Sequence, residues 1–260
     1  MKYEGMIAET VLINGHEGDQ IDAYLARPLG PGPYGSVVLI HHMPGWDEAS
    51  KEMARKLAYN GFATISPNLH FREGKATPTD NSTSIREAGG MPDDRTMGDV
   101  QAAIDYLPAL PYTNGKVGLI GFCSGGRQTY LGACTLNVDA AVDCWGGGVT
   151  KGNDELTPAM PKWPIEFTEG LNCPLLGLFG EEDTRPSPAD VAETEAELKR
   201  LGKDFEFHMY PNAGHGFFAV DRPSYRQEAA TDGWEKVIDF YTKHLSAGAT
   251  EGRQAVTAAD

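Results

Sequence analysis

Short apolar runs and helix-period segments take turns along most of this chain. Ile7 to Asn14 and Ile21 to Arg27 read as β-strands on either side of Asn14-Gly15-His16-Glu17-Gly18-Asp19, a polar hairpin connection. Ser36 to His41 is a near-continuous apolar strand, the pattern of a strand covered on both faces. Ala49, Met53 and Leu57 follow at helical spacing, with Asp47 placed to cap and Asn60-Gly61 to terminate. A strand over Phe62 to Ser66 leads into a polar stretch, 68–94, that predicts a long site-lining loop. Val100, Ala103, Ile104 and Leu107 then mark a helix.

The second half continues the alternation. Val117 to Ile120 is a strand, and Arg127 to Leu131 has helical character. Ala140 to Val142 leads to Cys144, and prolines bracket a strand over Leu175 to Phe179. Ser187-Pro188-Ala189-Asp190 opens a helix with a cap, a first-turn proline and an acid. Phe205 to Tyr210 is the last strand. Ser224-Tyr225-Arg226-Gln227 resembles a capping box before a helix whose apolar face is Trp234, Val237, Ile238, Tyr241 and Leu245. Strands alternating with helices predict an α/β fold, a mostly parallel sheet with helices on both faces. We expect one domain over 1–246 and a tail over 247–260.

Ligands on such sheets bind beyond the carboxyl ends of the strands. Four strand ends here carry chemistry: His41-His42-Met43-Pro44-Gly45, Cys123, Asp183 and His215. In Gly121-Phe122-Cys123-Ser124-Gly125-Gly126, glycines two before and two after Cys123 let a strand turn sharply into a helix. That turn holds the central side chain at the sheet edge, with a helix N-terminus behind it favouring an anion. Ser124 as the nucleophile would place Phe122 where a small residue is needed. A thiol is mostly protonated at neutral pH, so a nucleophilic Cys123 needs a base, and His215 lies in a small-residue loop after the last strand. The base needs a carboxylate partner; Asp183, its neighbours Glu181 and Glu182, and Asp143 are the candidates. Two amides must face the developing oxyanion: Ser124 follows the nucleophile, and Met43 is the choice beside Pro44, which has no N–H.

With 260 residues the chain can bury a large core. A net charge of −15 argues against nucleic acid and anionic membrane surfaces as partners. No basic-then-apolar segment opens the chain, and no apolar run approaches membrane length. The 4 cysteines have no metal-ligand or small-scaffold disulfide spacing. His41-His42 is no metal pair either, because strand neighbours point to opposite faces. A cytoplasmic protein is expected, a monomer or weak homo-oligomer with no metal and no organic cofactor.

At these motifs the chain resembles the dienelactone hydrolase family, cysteine α/β-hydrolases that open enol-lactones. The resemblance runs through Asn114 to Gly118, Gly121 to Gly126, Gly180-Glu181-Glu182-Asp183 and Ala213-Gly214-His215-Gly216-Phe217. It implies the α/β-hydrolase fold, selects Asp183 as the acid, and matches Arg72 to an arginine that binds the substrate carboxylate. Two positions depart from the family pattern. His42 stands where a glutamate holds the resting thiol, and Ala219 stands where a second carboxylate-binding arginine is found. Without a carboxylate beside it, the Cys123–His215 pair is expected to ionise more readily at rest.

The sequence therefore predicts a lactone or ester hydrolase using Cys123, His215 and Asp183, with Met43 and Ser124 holding the oxyanion. His42, Arg72 and Trp145 are candidate substrate contacts, Trp163 a candidate aromatic wall, and 156–174 a candidate lid. The first rival is a small-ester or phosphotriester hydrolase without dienelactone activity. A non-catalytic binding protein on the same fold is the second.

Overall fold

The fold follows from the way each apolar run finds a partner. In the computed structural model, which describes residues 5–74, 77–152 and 154–246, β1 (Met6–Asn14) and β2 (Gln20–Pro28) form an antiparallel hairpin. β3 (Tyr34–Ile40), α1 (Glu48–Tyr59) and β4 (Phe62–Pro67) make the first crossover, with β2 antiparallel to β4 and β3 parallel to it. Next come α2 (Pro78–Glu87), α3 (Asp93–Tyr106), β5 (Thr113–Phe122), α4 (Ser124–Thr135) and β6 (Ala140–Cys144). The chain closes with β7 (Leu175–Gly180), α5 (Pro188–Arg200), β8 (Phe205–Tyr210) and α6 (Gln227–Leu245). The strands form one eight-stranded sheet in the order β1-β2-β4-β3-β5-β6-β7-β8, parallel from β4 to β8. The expected tail over 247–260 lies outside the described residues.

Alternation out of each strand splits the core in two. One layer joins Val37, Leu39, Ile120 and Val142 to α1 and α6 through Ala54, Leu57, Trp234 and Tyr241. The other joins Val38, Ile40 and Leu119 to α3, α4 and α5 through Val100, Ile104, Tyr130 and Leu198. β3 is buried at every position, as its unbroken apolar run requires.

Three expectations need correction. The stretch 68–94 is not a plain loop: it holds α2 and the start of α3. Thr77 accepts from the Asp80 amide and Pro78 occupies the first turn, sound start signals that few apolar residues accompany. Ser224 does not cap α6, whose N-cap is Arg226 with no side-chain capping bond; Ser224 Oγ instead donates to the Gly216 carbonyl at 3.2 Å. Trp163, the candidate aromatic wall, stands at the start of a short 3-10 helix over Pro164–Gly170, is half-buried and borders neither cavity described below.

Candidate active site

The sharp strand-to-helix turn after β5 is enforced by what surrounds its glycines. Cβ atoms on Gly121 and Gly125 would run into the Gly125 and Ile40 carbonyls, and one on Gly126 into Asp143 Oδ1. Cys123 sits between them with φ 58° and ψ −118°, strained backbone for a residue with a side chain. Phe122, just before it, is buried against Trp145, Phe218 and Trp234, which is why the preceding position tolerates a large ring.

His215 enters from the loop after β8, and its Nδ1 lies 2.8 Å from Asp183 Oδ2. Asp183 follows β7, is 5% exposed, and its other oxygen accepts from the Arg185 amide at 2.9 Å. Burial pushes the His215 imidazole down, but the Asp183 carboxylate and the Cys123 thiol outweigh it and raise it to about 10. Burial likewise pushes the Cys123 thiol up, while His215, the Ser124 amide and Arg185 bring it net below an ordinary cysteine. Asp143, the alternative acid, lies elsewhere. It is buried in β6, its Oδ1 accepts from the Gly146 amide at 2.8 Å, and burial pushes its carboxyl up to about 7.

The segments after β3 and β4 place three imidazoles near the elbow. His41 is buried, with Nδ1 2.9 Å from the His42 carbonyl and Nε2 3.1 Å from the Leu69 amide. The carbonyl can only accept and the amide only donate, so the ring carries its proton on Nδ1; burial lowers it to about 4. His70 stacks edge-on to His41 at 4.7 Å between ring centroids and is lowered by burial to about 3. His42 Nε2 lies 2.7 Å from Asp47 Oδ2. Asp47 also caps α1, accepting from the Ser50 amide and hydroxyl at 3.0 Å each. Burial acts to raise its carboxyl, yet His42 and Ser50 together hold it well below the usual range. Among the described residues neither the Met43 nor the Ser124 amide donates to a protein oxygen or nitrogen, so both are available to an oxyanion.

Two cavities open at this end of the sheet. One, of about 60 Å³, is bordered by Met53, Phe122, Cys123, Trp145, His215 and Arg222 among others. The other, of about 70 Å³, is bordered by Met43, Leu69, Met91, Ser124, Gln128 and Arg185 among others. A larger cavity of about 280 Å³ lies between β7, β8 and α6 and holds none of the candidate residues. Arg72 borders neither of the first two. Its guanidinium is spent on Asp99, at 2.8 and 3.1 Å, and on Asp19 at 2.7 Å.

The model of the dienelactone hydrolase family matches residues 21–245. A Yersinia pestis protein named "Putative carboxymethylenebutenolidase" is 34% identical over 232 residues, covering 88% of this chain and 85% of its own. The chain belongs to the dienelactone hydrolase family. Membership makes it a hydrolase of the carboxylic ester type on the α/β-hydrolase fold. A crystal structure titled as a putative dienelactone hydrolase from Klebsiella pneumoniae superposes with a TM-score of 0.83 at 31% identity, covering 93% of this chain and 100% of that one. A "Dienelactone Hydrolase-like" promiscuous phosphotriesterase from metagenomic libraries shares the fold at TM-score 0.72 and 23% identity, covering 92% and 99%.

The site residue that the sequence conceals is Asp47. Asp47 is legible as a helix cap but not as the partner of His42, which reaches it across the Pro44-Gly45 turn. That turn closes with the Gly45 amide on the His42 carbonyl at 2.9 Å and needs φ 104° at Gly45. Arg222 comes within 3.6 Å of Asp47 from the loop before α6.

Proposed function

We propose that this protein hydrolyses uncharged carboxylic esters through Cys123, His215 and Asp183. The Cys123 thiolate attacks the carbonyl carbon, and the oxyanion that forms is held by the Met43 and Ser124 amides. Protonated His215 gives its proton to the leaving alkoxide as the carbon–oxygen bond breaks, which leaves a thioester. Water then attacks the thioester, His215 takes its proton, and the carbon–sulfur bond breaks to return the thiolate. Asp183 fixes the imidazole tautomer and stabilises its cationic form throughout. The observation that carries this reading is the strained elbow cysteine lying in one cavity with an imidazole that is hydrogen-bonded to a buried carboxylate. A chemistry that needs a free thiol suits a reducing cytoplasm.

An uncharged substrate is favoured because the arginines near the site already have carboxylate partners. Arg127 pairs with Asp93 at 2.6 Å, Arg185 with Asp154 at 2.9 Å, and Arg72 with Asp99 and Asp19. Arg222 lies 3.6 Å from Asp47, and Ala219 offers no charge. The test is a panel of p-nitrophenyl acetate, a carboxylate-bearing dienelactone and a phosphotriester, run on wild type and Cys123→Ala. Turnover of the neutral ester that is lost in the variant supports the reading. A strong preference for the charged lactone, or for the phosphotriester, contradicts it.

A further inference from the structure

Among the described residues, His42 is the one that borders both cavities at the candidate active site. The register of β3 on β5 aligns Ile40 with Gly121, so the two chains leave the sheet side by side and His42 emerges next to Cys123. Its ring is fixed there. The Asp47 carboxylate can only accept, so Nε2–H donates to it at 2.7 Å. Asp47 is itself locked by the Ser50 amide and hydroxyl and approached by Arg222 at 3.6 Å. With 12% of the side chain exposed, His42 is a wall rather than a mobile surface group.

The reacting groups meet beside that wall, where the Ser124 amide hydrogen-bonds the Cys123 sulfur, but they line different chambers. Cys123 and His215 border the chamber walled by Met53, Phe122 and Trp145. Met43 and Ser124, whose amides face the oxyanion in the mechanism above, border the chamber walled by Leu69, Met91 and Met160. A carbonyl attacked from one side, with its oxygen turned to the other, sits at the partition, and its two substituents diverge into separate chambers. An acyclic ester can do this because its acyl and alcohol arms are joined only through the ester group. A small lactone ties both arms into one ring and has to fit on one side.

We propose that His42 is a specificity-determining wall that makes this enzyme select acyclic esters over compact lactones. The inference rests on Cys123 being the nucleophile, and its test keeps the two apart. Phenyl propionate and 3,4-dihydrocoumarin present the same three-carbon acyl group and phenolic leaving group, open in one and cyclic in the other. After correction for their rates with hydroxide, wild type is expected to favour phenyl propionate in kcat/KM by about 10- to 100-fold, the range a pocket's shape supplies. His42→Ala should remove about tenfold of that preference, whereas His42→Gln, which retains bulk and a donor for Asp47, should keep it. Should the alanine variant not fold, Met53→Trp and Met91→Trp fill one chamber each. Each should then impair a different arm, one in an acyl-length series and the other in an alcohol-size series.

Intact-mass analysis of the same reactions reads the nucleophile separately. Propionyl on Cys123 without discrimination between the two esters overturns the wall and leaves the nucleophile standing. A preference unchanged by His42→Ala, or both tryptophan variants impairing the same arm, also overturns the wall. Turnover of phenyl propionate with no adduct on Cys123 overturns the nucleophile, and the inference with it.

Discussion

Replacing His215 by Gln should turn Cys123 from a reactive thiolate into an ordinary buried thiol. Burial raises the Cys123 pKa, and the largest opposing influence is the neighbouring His215 imidazole; the Ser124 amide and Arg185 add less. The sign follows directly. A lowered thiol pKa means thiolate is populated below the pH at which a free cysteine ionises, and His215, raised to about 10, stays protonated beside it up to that pH. Over this window the pair is thiolate and imidazolium. A hydrogen bond to a charged group contributes about 1.5–3 kcal/mol. The His215 side chain is 40% exposed, so solvent screening favours the lower end. About 1.5 kcal/mol corresponds to roughly tenfold in thiolate population. The assay is the rate of iodoacetamide alkylation of Cys123 against pH, with Cys134, Cys144 and Cys173 buried and slow to react. Wild type should alkylate with a midpoint below that of free cysteine, and His215→Gln should be about tenfold slower at neutral pH with its midpoint moved upward. A wild-type midpoint at or above the free-cysteine value, or no change in the variant, would refute the ion pair.

The remaining predictions separate roles that the sequence leaves mixed. Asp183→Asn should lower kcat by about 10³- to 10⁴-fold by misplacing the imidazole proton, while Asp143→Asn, measured in the same ester assay, should stay within about tenfold of wild type. Because burial raises the Asp143 carboxyl to about 7, ionising it costs the folded state; wild type should lose thermal stability relative to Asp143→Asn as pH rises from about 4 to about 7, then level off. Arg72→Met should leave KM within about twofold but cost on the order of 3 kcal/mol in urea denaturation, since it strands the fully buried Asp99 carboxylate. Gly125→Ala should abolish ester turnover and lower thermal stability, because its Cβ meets the Ile40 and His41 carbonyls, which are backbone and cannot swing aside.

Much of this molecule was legible because its apolar runs are local and unbroken. β3 and β7 carry no polar interruption in their cores, and α1 has both its Asp47 cap and its Asn60 stop. The elbow was legible for a related reason: its glycines are demanded by backbone atoms a few residues away in space, so the spacing itself is constrained. What failed depends on partners distant in sequence. The resemblance implies that Arg72 is a carboxylate-binding arginine, yet Asp99 and Asp19, 27 and 53 residues away, take its charge. α2 is hidden in the sequence because Ile85 is its lone large buried apolar side chain among the described residues, leaving no 3.6-residue stripe to read. Ser224 had the right residue type for a cap, but the Gly216 carbonyl claims its hydroxyl. The split of the site into two chambers by His42 is a property of packing that no spacing rule encodes.

The most direct measurement is a millisecond quench of wild type with excess p-nitrophenyl acetate, followed by peptide mapping of the trapped adduct. A burst of p-nitrophenol matched by one acetyl group on Cys123, absent in Cys123→Ala, is the predicted result. An acetyl group on Ser124 or on another residue, or full turnover by Cys123→Ala, would contradict the account.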